Sequence, residues 1–166
     1  TDGLPLSSTY SNILAANDAD QLYVGLQLKA VGSIVSNWTH ELYIDSDNNP
    51  ATGFNSGWMS RGYDRLVQYG VGGTTYSVYE FTGGSQAAWS WGFLGTIGYS
   101  FNNEIIEWSI PRAHLGSGTI MPLEFHVVNG DVTAETCAHH TESSVKGYAF
   151  ATPNNCPAGL PPVLGA

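Results

Sequence analysis

Apolar and polar residues alternate along most of the chain. Between residues 21 and 29, Leu22, Val24, Leu26 and Leu28 fall on one face of an extended segment, and the residues between them fall on the other. The same period of two recurs in seven further segments, at 38–45, 65–71, 74–81, 88–93, 96–101, 104–110 and 121–128. Each of these segments is predicted to be a β-strand.

Shorter signals complete the order of elements. A short strand is predicted at 13–16 and a closing strand at 148–150. Two glycines at 72–73 predict a hairpin turn. The helical signal is limited to one turn at 111–116, with Pro at its first position and Gly just past its end. From Asn129 onward, the rest of the chain is predicted to be loop.

Many short strands with almost no helix predict an all-β protein. Strands that recur at a spacing of about 8–12 residues are typical of a two-sheet antiparallel β-sandwich. The chain has 166 residues, which is the size of one domain. Because it shows no internal repeat and no linker, we expect residues 1–156 to form a single β-sandwich domain and residues 157–166 to form a tail.

Composition and charge restrict the possible partners. The formal net charge is −9, and the five Lys and Arg residues form no cluster. Binding to nucleic acid or to an anionic membrane surface is therefore not expected. No apolar run approaches the roughly 18 residues of a transmembrane helix. Only 11% of the residues are charged, and a chain so poor in charge and rich in Gly, Ser, Thr, Asn and Tyr is typical of secreted β-proteins.

The expected location outside the cell determines what is predicted for the two cysteines. In a secreted chain, Cys137 and Cys156 are expected to form a disulfide. It would close a loop of about 20 residues and stabilise the fold by roughly 3 kcal/mol in the chain-entropy account. The alternative is a pair of reduced thiols in an intracellular protein.

Oxygen-bearing side chains follow the strand at 38–45. Asp45, Asp47 and Asn49 occupy alternate positions, a spacing that can direct carboxylate and amide oxygens at one hard cation such as Ca²⁺. The loop is not an EF-hand, because Pro50 replaces its Gly and Ser56 replaces its final Glu. The alternative is a turn in which these side chains bond to their own backbone.

Five segments in order resemble a known group of modules. They are NDADQLYV at 17–24, LYIDSDNNPATGF at 42–54, GYDRLV at 62–67, WSW at 89–91 and IIEWSIPRAHLG at 105–116. In this order they resemble the carbohydrate-binding module family 9-like group of the DOMON-like superfamily. The resemblance covers roughly residues 12–128, and its more specific parts are the Asp-rich loop and the IPRAHLG segment.

This resemblance implies a DOMON-like or jelly-roll-like β-sandwich, often attached to a secreted polysaccharide-degrading enzyme. Such modules commonly hold structural Ca²⁺ and bind sugars through exposed aromatic rings. The resemblance implies a metal role for Asp45, Asp47 and Asn49, with Thr52 as a backbone-carbonyl donor. It adds Asp64, which follows the loop. The Cys-bearing region after residue 128 lies outside the resemblance.

Aromatic residues near loops are the candidate sugar contacts. A flat ring can stack on the apolar C–H face of a sugar, while nearby polar groups bond to its hydroxyls. The candidate rings are Trp58, Tyr63, Trp89 and Trp91, and Arg61 is the candidate hydrogen-bonding group. Core packing is the alternative role for each ring. Trp38 and Trp108 lie in regular strands and are expected in the core.

Three other chemistries have weaker signals. A glycosidase needs two carboxylates at a defined separation, and nothing in the sequence pairs any two of Glu41, Glu80, Glu104, Glu107 and Glu124. A transition-metal site could use His139 and His140 beside Cys137, unless that thiol is in a disulfide. A haem would need axial ligands such as Met59 and His114.

The sequence therefore predicts a secreted, calcium-stabilised carbohydrate-binding module that binds polysaccharide or oligosaccharide through loop aromatics. It is expected to have no catalytic step of its own, and a catalytic domain could be covalently linked to it. The alternatives are a self-standing enzyme that acts on glycans and a haem or copper redox domain.

Overall fold

The computed structural model describes residues 10–28, 39–57, 59, 61–69, 75–101, 105–129, 132–138 and 148–149. Eleven strands lie in these ranges: β1 (Tyr10–Asn17), β2 (Gln21–Leu28), β3 (Thr39–Ile44), β4 (Arg65–Tyr69), β5 (Tyr76–Phe81), β6 (Trp91–Phe101), β7 (Ile105–Pro111), β8 (Ile120–Met121), β9 (Leu123–Asn129), β10 (Val132–Ala138) and β11 (Tyr148–Ala149). The helical content of the described ranges is one 3₁₀ turn, Arg112–His114. The all-β prediction is confirmed.

Nine of these strands form one continuous antiparallel sheet. Their order is β1-β2-β7-β6-β5-β4-β3-β9-β10, and β8 pairs separately with β11. The sheet is continuous because β6 has two partners in succession. It pairs with β5 as far as Ile97 and with β7 from Gly98 onward. One long strand therefore connects two groups of strands.

The main core lies on one face of this sheet. The residues predicted to face inward on β2, which are Leu22, Val24 and Leu26, are buried there. They belong to the same cluster as Leu42 on β3 and Phe125 on β9. Because strands from both ends of the strand order meet in one core, the sheet must curl over that core. Trp108 lies inside it, as predicted.

A second hydrophobic cluster covers part of the opposite, outer face. Tyr43 and Leu66 project outward from β3 and β4, and the loop between these strands covers them with Phe54, Met59 and Tyr63. β3 is therefore buried on both faces, which explains its unbroken apolar run of Leu, Tyr and Ile. This packing holds the loop after β3 against the sheet.

Three sequence predictions of elements were wrong in detail. β1 begins at Tyr10, earlier than the short strand predicted at 13–16. Gly95 does not separate two strands, since β6 runs through it. The reason for a glycine is close packing: a Cβ at this position would lie 2.9 Å from His114 Nε2. The third wrong prediction concerns β10, which lies in a region predicted to be loop. The prediction missed this strand because its sequence lacks apolar alternation.

Other predictions have mixed outcomes. The single helical turn after Pro111 is confirmed, and the closing strand appears as β11. The hairpin glycines at 72–73, the tail at 157–166 and Trp38 lie outside the described residues. In the part of the chain that the structure describes, no helix has the length and apolar character needed to cross a membrane.

Candidate functional site

The ends of β3 and β4 bring two acidic residues together. The register pairs Ile44 with Arg65, so Asp45 and Asp64 lie beside each other at the edge of this ladder. The backbone N–H of Asp64 donates to the carbonyl of Ile44 at 3.0 Å, and that of Asp45 donates to Pro122 at 3.0 Å. Both carboxylates are therefore placed by strand pairing and by one further backbone bond each.

A third carboxylate, that of Asp47, completes a cluster. One carboxylate oxygen from each of Asp45, Asp47 and Asp64 lies within 4.8 Å of the other two. Two oxygens that bind one Ca²⁺ at about 2.4 Å can be at most about 4.8 Å apart, so this cluster has the size of a cation site. Its donors are all oxygens, which suits a hard cation and does not distinguish Ca²⁺ from others.

The turn after Asp45 is organised by its own side chains. The backbone N–H of Asn49 donates to Asp45 Oδ1 at 3.1 Å and to Asp47 Oδ1 at 2.9 Å. The Thr52 hydroxyl donates to Asp47 Oδ2 at 2.9 Å. The alternative interpretation, an Asx-rich turn, is therefore present, and this turn contributes Asp45 and Asp47 to the acidic cluster. Cation binding by the cluster stays a prediction. Asn48 takes a positive φ of 57° at the tip.

Two predicted ligands direct their oxygens elsewhere. Asn49 Oδ1 accepts a bond from the Ala51 N–H at 3.1 Å. The Thr52 carbonyl accepts one from Gln86 Nε2 at 3.0 Å. In this arrangement Asn49 and Thr52 build the turn, and their role as metal ligands stays a prediction. Asp64 fits better, since its Oδ2 accepts the Ser46 N–H at 2.9 Å and so lies against the loop.

Arg61 is a buried counter-ion in this cluster, and its predicted role in binding a sugar gains no support from its position. Only 3% of its surface is exposed, and its Nε lies 2.5 Å from Asp45 Oδ2. Arg61 pairs with one of the three carboxylates of the cluster, that of Asp45. Burial raises the pKa of Asp45 to about 6, Arg61 opposes this rise, and Asp47 and Asp64 add to it.

The predicted stacking of Tyr63 on a sugar also gains no support from its position. Its ring is fully buried in the outer cluster, and its hydroxyl donates to Glu124 Oε2. Trp58 lies outside the described residues. The position of Tyr63 in the sequence did not distinguish burial from exposure, because the loop that contains it is polar in composition.

The other two candidate rings, Trp89 and Trp91, differ in their exposure. The Trp89 side chain is 56% exposed, and its ring lies nearly perpendicular to that of Phe54, with 5.0 Å between centroids. Trp91 is half-buried and contacts Phe54 and Phe81 by its edge. Trp89 can therefore present a ring to a ligand, and Trp91 supports it from below, with 5.7 Å between their centroids.

One side chain joins the acidic loop to the loop that carries Trp89. Gln86 Nε2 donates to the carbonyls of Pro50 and Thr52 at 3.2 and 3.0 Å. In return, the N–H of Asn55 donates to the carbonyl of Gln86 at 2.8 Å. Anything that orders the acidic loop is thereby coupled to the position of Trp89.

A pair of carboxylates that sequence reasoning missed lies on the outer face. The register places Tyr43 opposite Glu124, and the Tyr43 hydroxyl donates to Glu41 Oε2 at 2.8 Å. Glu41 and Glu124 are thus diagonal neighbours, at a typical separation of roughly 7–8 Å. Glu124 is only 2% exposed and lies beneath Tyr63, so it cannot reach a substrate. Only strand pairing, invisible in one sequence, could reveal this pair.

The structure does not bring together the two residues predicted as haem ligands. Met59 packs in the outer cluster, whereas His114 lies against Gly95, whose partner Val78 faces the main core. The sheet separates Met59 from His114, so these two cannot hold one haem between them. The histidines at 139–140 and Cys156 lie outside the described residues, and with them the predicted disulfide of Cys137.

Comparison with protein-family models, with curated proteins and with solved structures found no match to this chain. The resemblance to carbohydrate-binding modules therefore stays a prediction, and the site must be interpreted from its own geometry.

Proposed function

We propose that the protein is a non-catalytic, calcium-stabilised module that binds polysaccharide through the loop bearing Trp89. The observation that carries this proposal is the double hydrogen bond from Gln86 to Pro50 and Thr52, which couples the acidic loop to that ring. An exposed indole beside a candidate cation site has no role in the core. It suits a surface that stacks on sugars.

The acidic cluster provides the metal side of this proposal. Asp45, Asp47 and Asp64 are the residues that would hold Ca²⁺, and their oxygens have the spacing that such an ion needs. When bound, the ion supplies positive charge to carboxylates that Arg61 alone does not neutralise. The turn at 47–52 is then held to β4 through Asp64, and Gln86 carries this restraint to the loop of Trp89.

Several wider expectations belong to the same proposal. The continuous sheet would form the two layers of a sandwich, with β1, β2 and β7 in one layer, β5, β4, β3, β9 and β10 in the other, and β6 in both. The proposed family is the carbohydrate-binding module family 9-like group, and the proposed location is extracellular. Cys137 and Cys156 would be paired there, and a linked catalytic domain would act on the bound polysaccharide.

Retention on insoluble polysaccharides tests the function directly. The protein is incubated with cellulose, xylan, chitin and β-1,3-glucan, in Ca²⁺ or in chelator, and the unbound fraction is measured. We expect retention on at least one polymer and weaker retention in chelator. Trp89→Ala should weaken binding by about tenfold, which corresponds to roughly 1.4 kcal/mol. Phe101→Ala is the matched control, because Phe101 is 51% exposed but pairs with the core-facing Ile106.

Two results would contradict the proposal. Retention on none of the polymers would remove the binding function. Release of soluble sugar from any of them by the purified protein would indicate the enzyme alternative instead.

A substitution of Gln86 tests whether this residue couples the acidic loop to the loop of Trp89. Gln86→Ala removes both bonds to the acidic loop, so Ca²⁺ should still bind while its effect on polysaccharide retention disappears. Calorimetric titration with Ca²⁺ measures the first quantity, and retention in Ca²⁺ and in chelator measures the second. An unchanged calcium effect on retention in this variant would show that the coupling does not pass through Gln86.

A further inference from the structure

The outer face of β6 carries an exposed aromatic ring that the candidate loop does not use. Phe93 is 63% exposed, more than the other exposed large apolar side chains of the described residues. Its one described ring neighbour is Tyr79, with 5.8 Å between centroids and the rings steeply inclined. Because most of the Phe93 ring lies in water, a ligand that covered it would gain roughly 25 cal/mol for each Å² of apolar surface buried.

Phe93 lies on the same side of the sheet as Trp89 and Trp91. Trp91 pairs with Phe81, and Phe93 pairs with Tyr79, two positions earlier on β5, so both project from the outer face. Trp89 contacts Trp91 on that face. Trp89 and Phe93 are four positions apart, which corresponds to about 13 Å if the chain between them is fully extended. The half-buried Trp91 forms the floor between these two exposed rings.

Polar side chains continue this face beyond Phe93. A bulge at Leu94 follows Phe93, after which Thr96 pairs with Ser77, and Ser77 pairs with Gln68 on β4. Thr96 is exposed and Gln68 is half-buried, whereas Ser77 between them is buried, so this face offers one hydroxyl and one amide group beside the aromatic row. We call the surface formed by Trp89, Trp91, Phe93, Thr96 and Gln68 the β6 face.

The chemistry of the β6 face favours a neutral, extended glycan. Its described positions carry no Lys or Arg, and the molecule has a net charge of −9, so a polyanion would be repelled. A protein partner would favour a broad continuous apolar patch, whereas here a single row of rings runs beside hydrogen-bonding groups. A chain of sugars offers the matching pattern, with apolar C–H faces for the rings and hydroxyls for Thr96 and Gln68.

We propose that Phe93 is a second stacking platform, and that the β6 face binds an internal stretch of an extended neutral polysaccharide along the line from Trp89 to Phe93. This inference rests on the proposed function and specifies the ligand of that site. A ligand that spans about 13 Å must contain several sugar units, so the site selects for chain length.

Oligosaccharides of increasing length test the inference. Calorimetric titration is carried out with cello-, xylo- and β-1,3-gluco-oligosaccharides on the full chain in Ca²⁺. In the wild type, affinity should rise with length until the ligand reaches both rings. In Phe93→Ala, affinity for the long oligosaccharides should fall by about tenfold, while the shortest ligands keep their wild-type affinity. Phe93→Tyr retains the ring and should restore the length dependence.

Phe101→Ala is the matched control, since it removes another exposed ring, 51% exposed, from the core-facing side of the same strand. Equal affinities of wild type and Phe93→Ala for the long ligands would overturn the inference, as would an equal loss in Phe101→Ala. If Trp89→Ala abolished binding while Phe93→Ala did not change it, this inference alone would fail. A wild type that binds no glycan would overturn the proposed function and this inference with it.

Discussion

At the scale of single residues, burial decides which polar side chains can meet a ligand. Arg61 and Tyr63 flank a glycine in a polar loop, and their positions suggest exposure. The structure turns both inward, where Arg61 pairs with Asp45 and Tyr63 bonds to Glu124. Removing a charge from water is costly unless it is paired, so the burial of Arg61 depends on its pairing with Asp45.

Replacing Arg61 should therefore damage the calcium-free protein most. Arg61→Ala leaves Asp45 as an unpaired buried carboxylate, and we expect the free energy of unfolding in chelator at pH 8 to fall by about 3–5 kcal/mol. Urea unfolding measures this loss, which should shrink in saturating Ca²⁺. The control Asn48→Gly removes the bond that Arg61 Nη2 donates at 3.3 Å without straining the positive φ of 57°, and should cost about 1 kcal/mol or less. Equal losses in the two variants would refute the assignment of Arg61 as a counter-ion.

The raised pKa of Asp45 predicts opposite pH trends for stability and for calcium affinity. Burial raises this pKa from 3.8 to about 6 in the calcium-free fold. Between these values the folded state holds a proton that the unfolded state has lost, so stability falls as pH rises and levels off above about 6. Ca²⁺ needs the ionised carboxylate, so its affinity should increase over the same range.

Urea unfolding in chelator and calorimetric titration with Ca²⁺, each at several pH values between 4 and 7.5, measure the two trends. In Asp45→Asn the downward trend in stability should disappear. A calcium affinity independent of pH in the wild type would mean that Asp45 is not a ligand.

At the scale of elements, the loop between β3 and β4 is shaped by close backbone approach. Gly62 donates its N–H to the Pro50 carbonyl at 3.1 Å, and a Cβ on Gly62 would collide with the Thr52 carbonyl oxygen and with Gln86. The acidic turn, the outer cluster and the loop of Trp89 therefore meet at a position where only glycine fits. Sequence alone gives this glycine the appearance of a flexible spacer.

Gly62→Ala is expected to disturb this junction. We expect a loss of about 1–3 kcal/mol in the free energy of unfolding, because backbone or Gln86 must shift to admit the methyl group. Calcium affinity should fall with it, since the same shift moves the turn that carries Asp47. Gly84→Ala is the matched control, because nothing lies within 4 Å of its added Cβ. If the two variants had the same stability, the close approach at Gly62 would be wrong.

At the scale of the whole molecule, one curled sheet produces two different environments for tryptophan. Trp108 is buried in the main core against Tyr76 and Phe125, whereas Trp89 lies on the outside over Phe54. The curl brings β2 and β7 over β3, β4, β5 and β9, and Phe93 stays exposed on the outer face of β6.

Truncating these two tryptophans should separate stability from binding. Trp108→Ala is expected to lower the free energy of unfolding by about 3–5 kcal/mol, since it removes a large buried ring. Trp89→Ala should cost about 1 kcal/mol or less, because most of its side chain is already in water. Urea unfolding measures both. A large loss in Trp89→Ala would assign this ring to the fold and leave its loss of polysaccharide retention uninformative.

The period-two pattern by itself determined the all-β class, most strands and the inward face of β2, because alternation along a strand is a local property. The alternate positions of Asp45, Asp47 and Asn49 likewise determined that Asp45 and Asp47 lie in one turn. Tertiary structure decided what depends on contacts between distant segments: the single run of β6, the strand β10, the approach of Asp64 and the burial of Arg61 and Tyr63. Which side of a loop faces the sheet is set by what packs upon it, and one sequence does not record that.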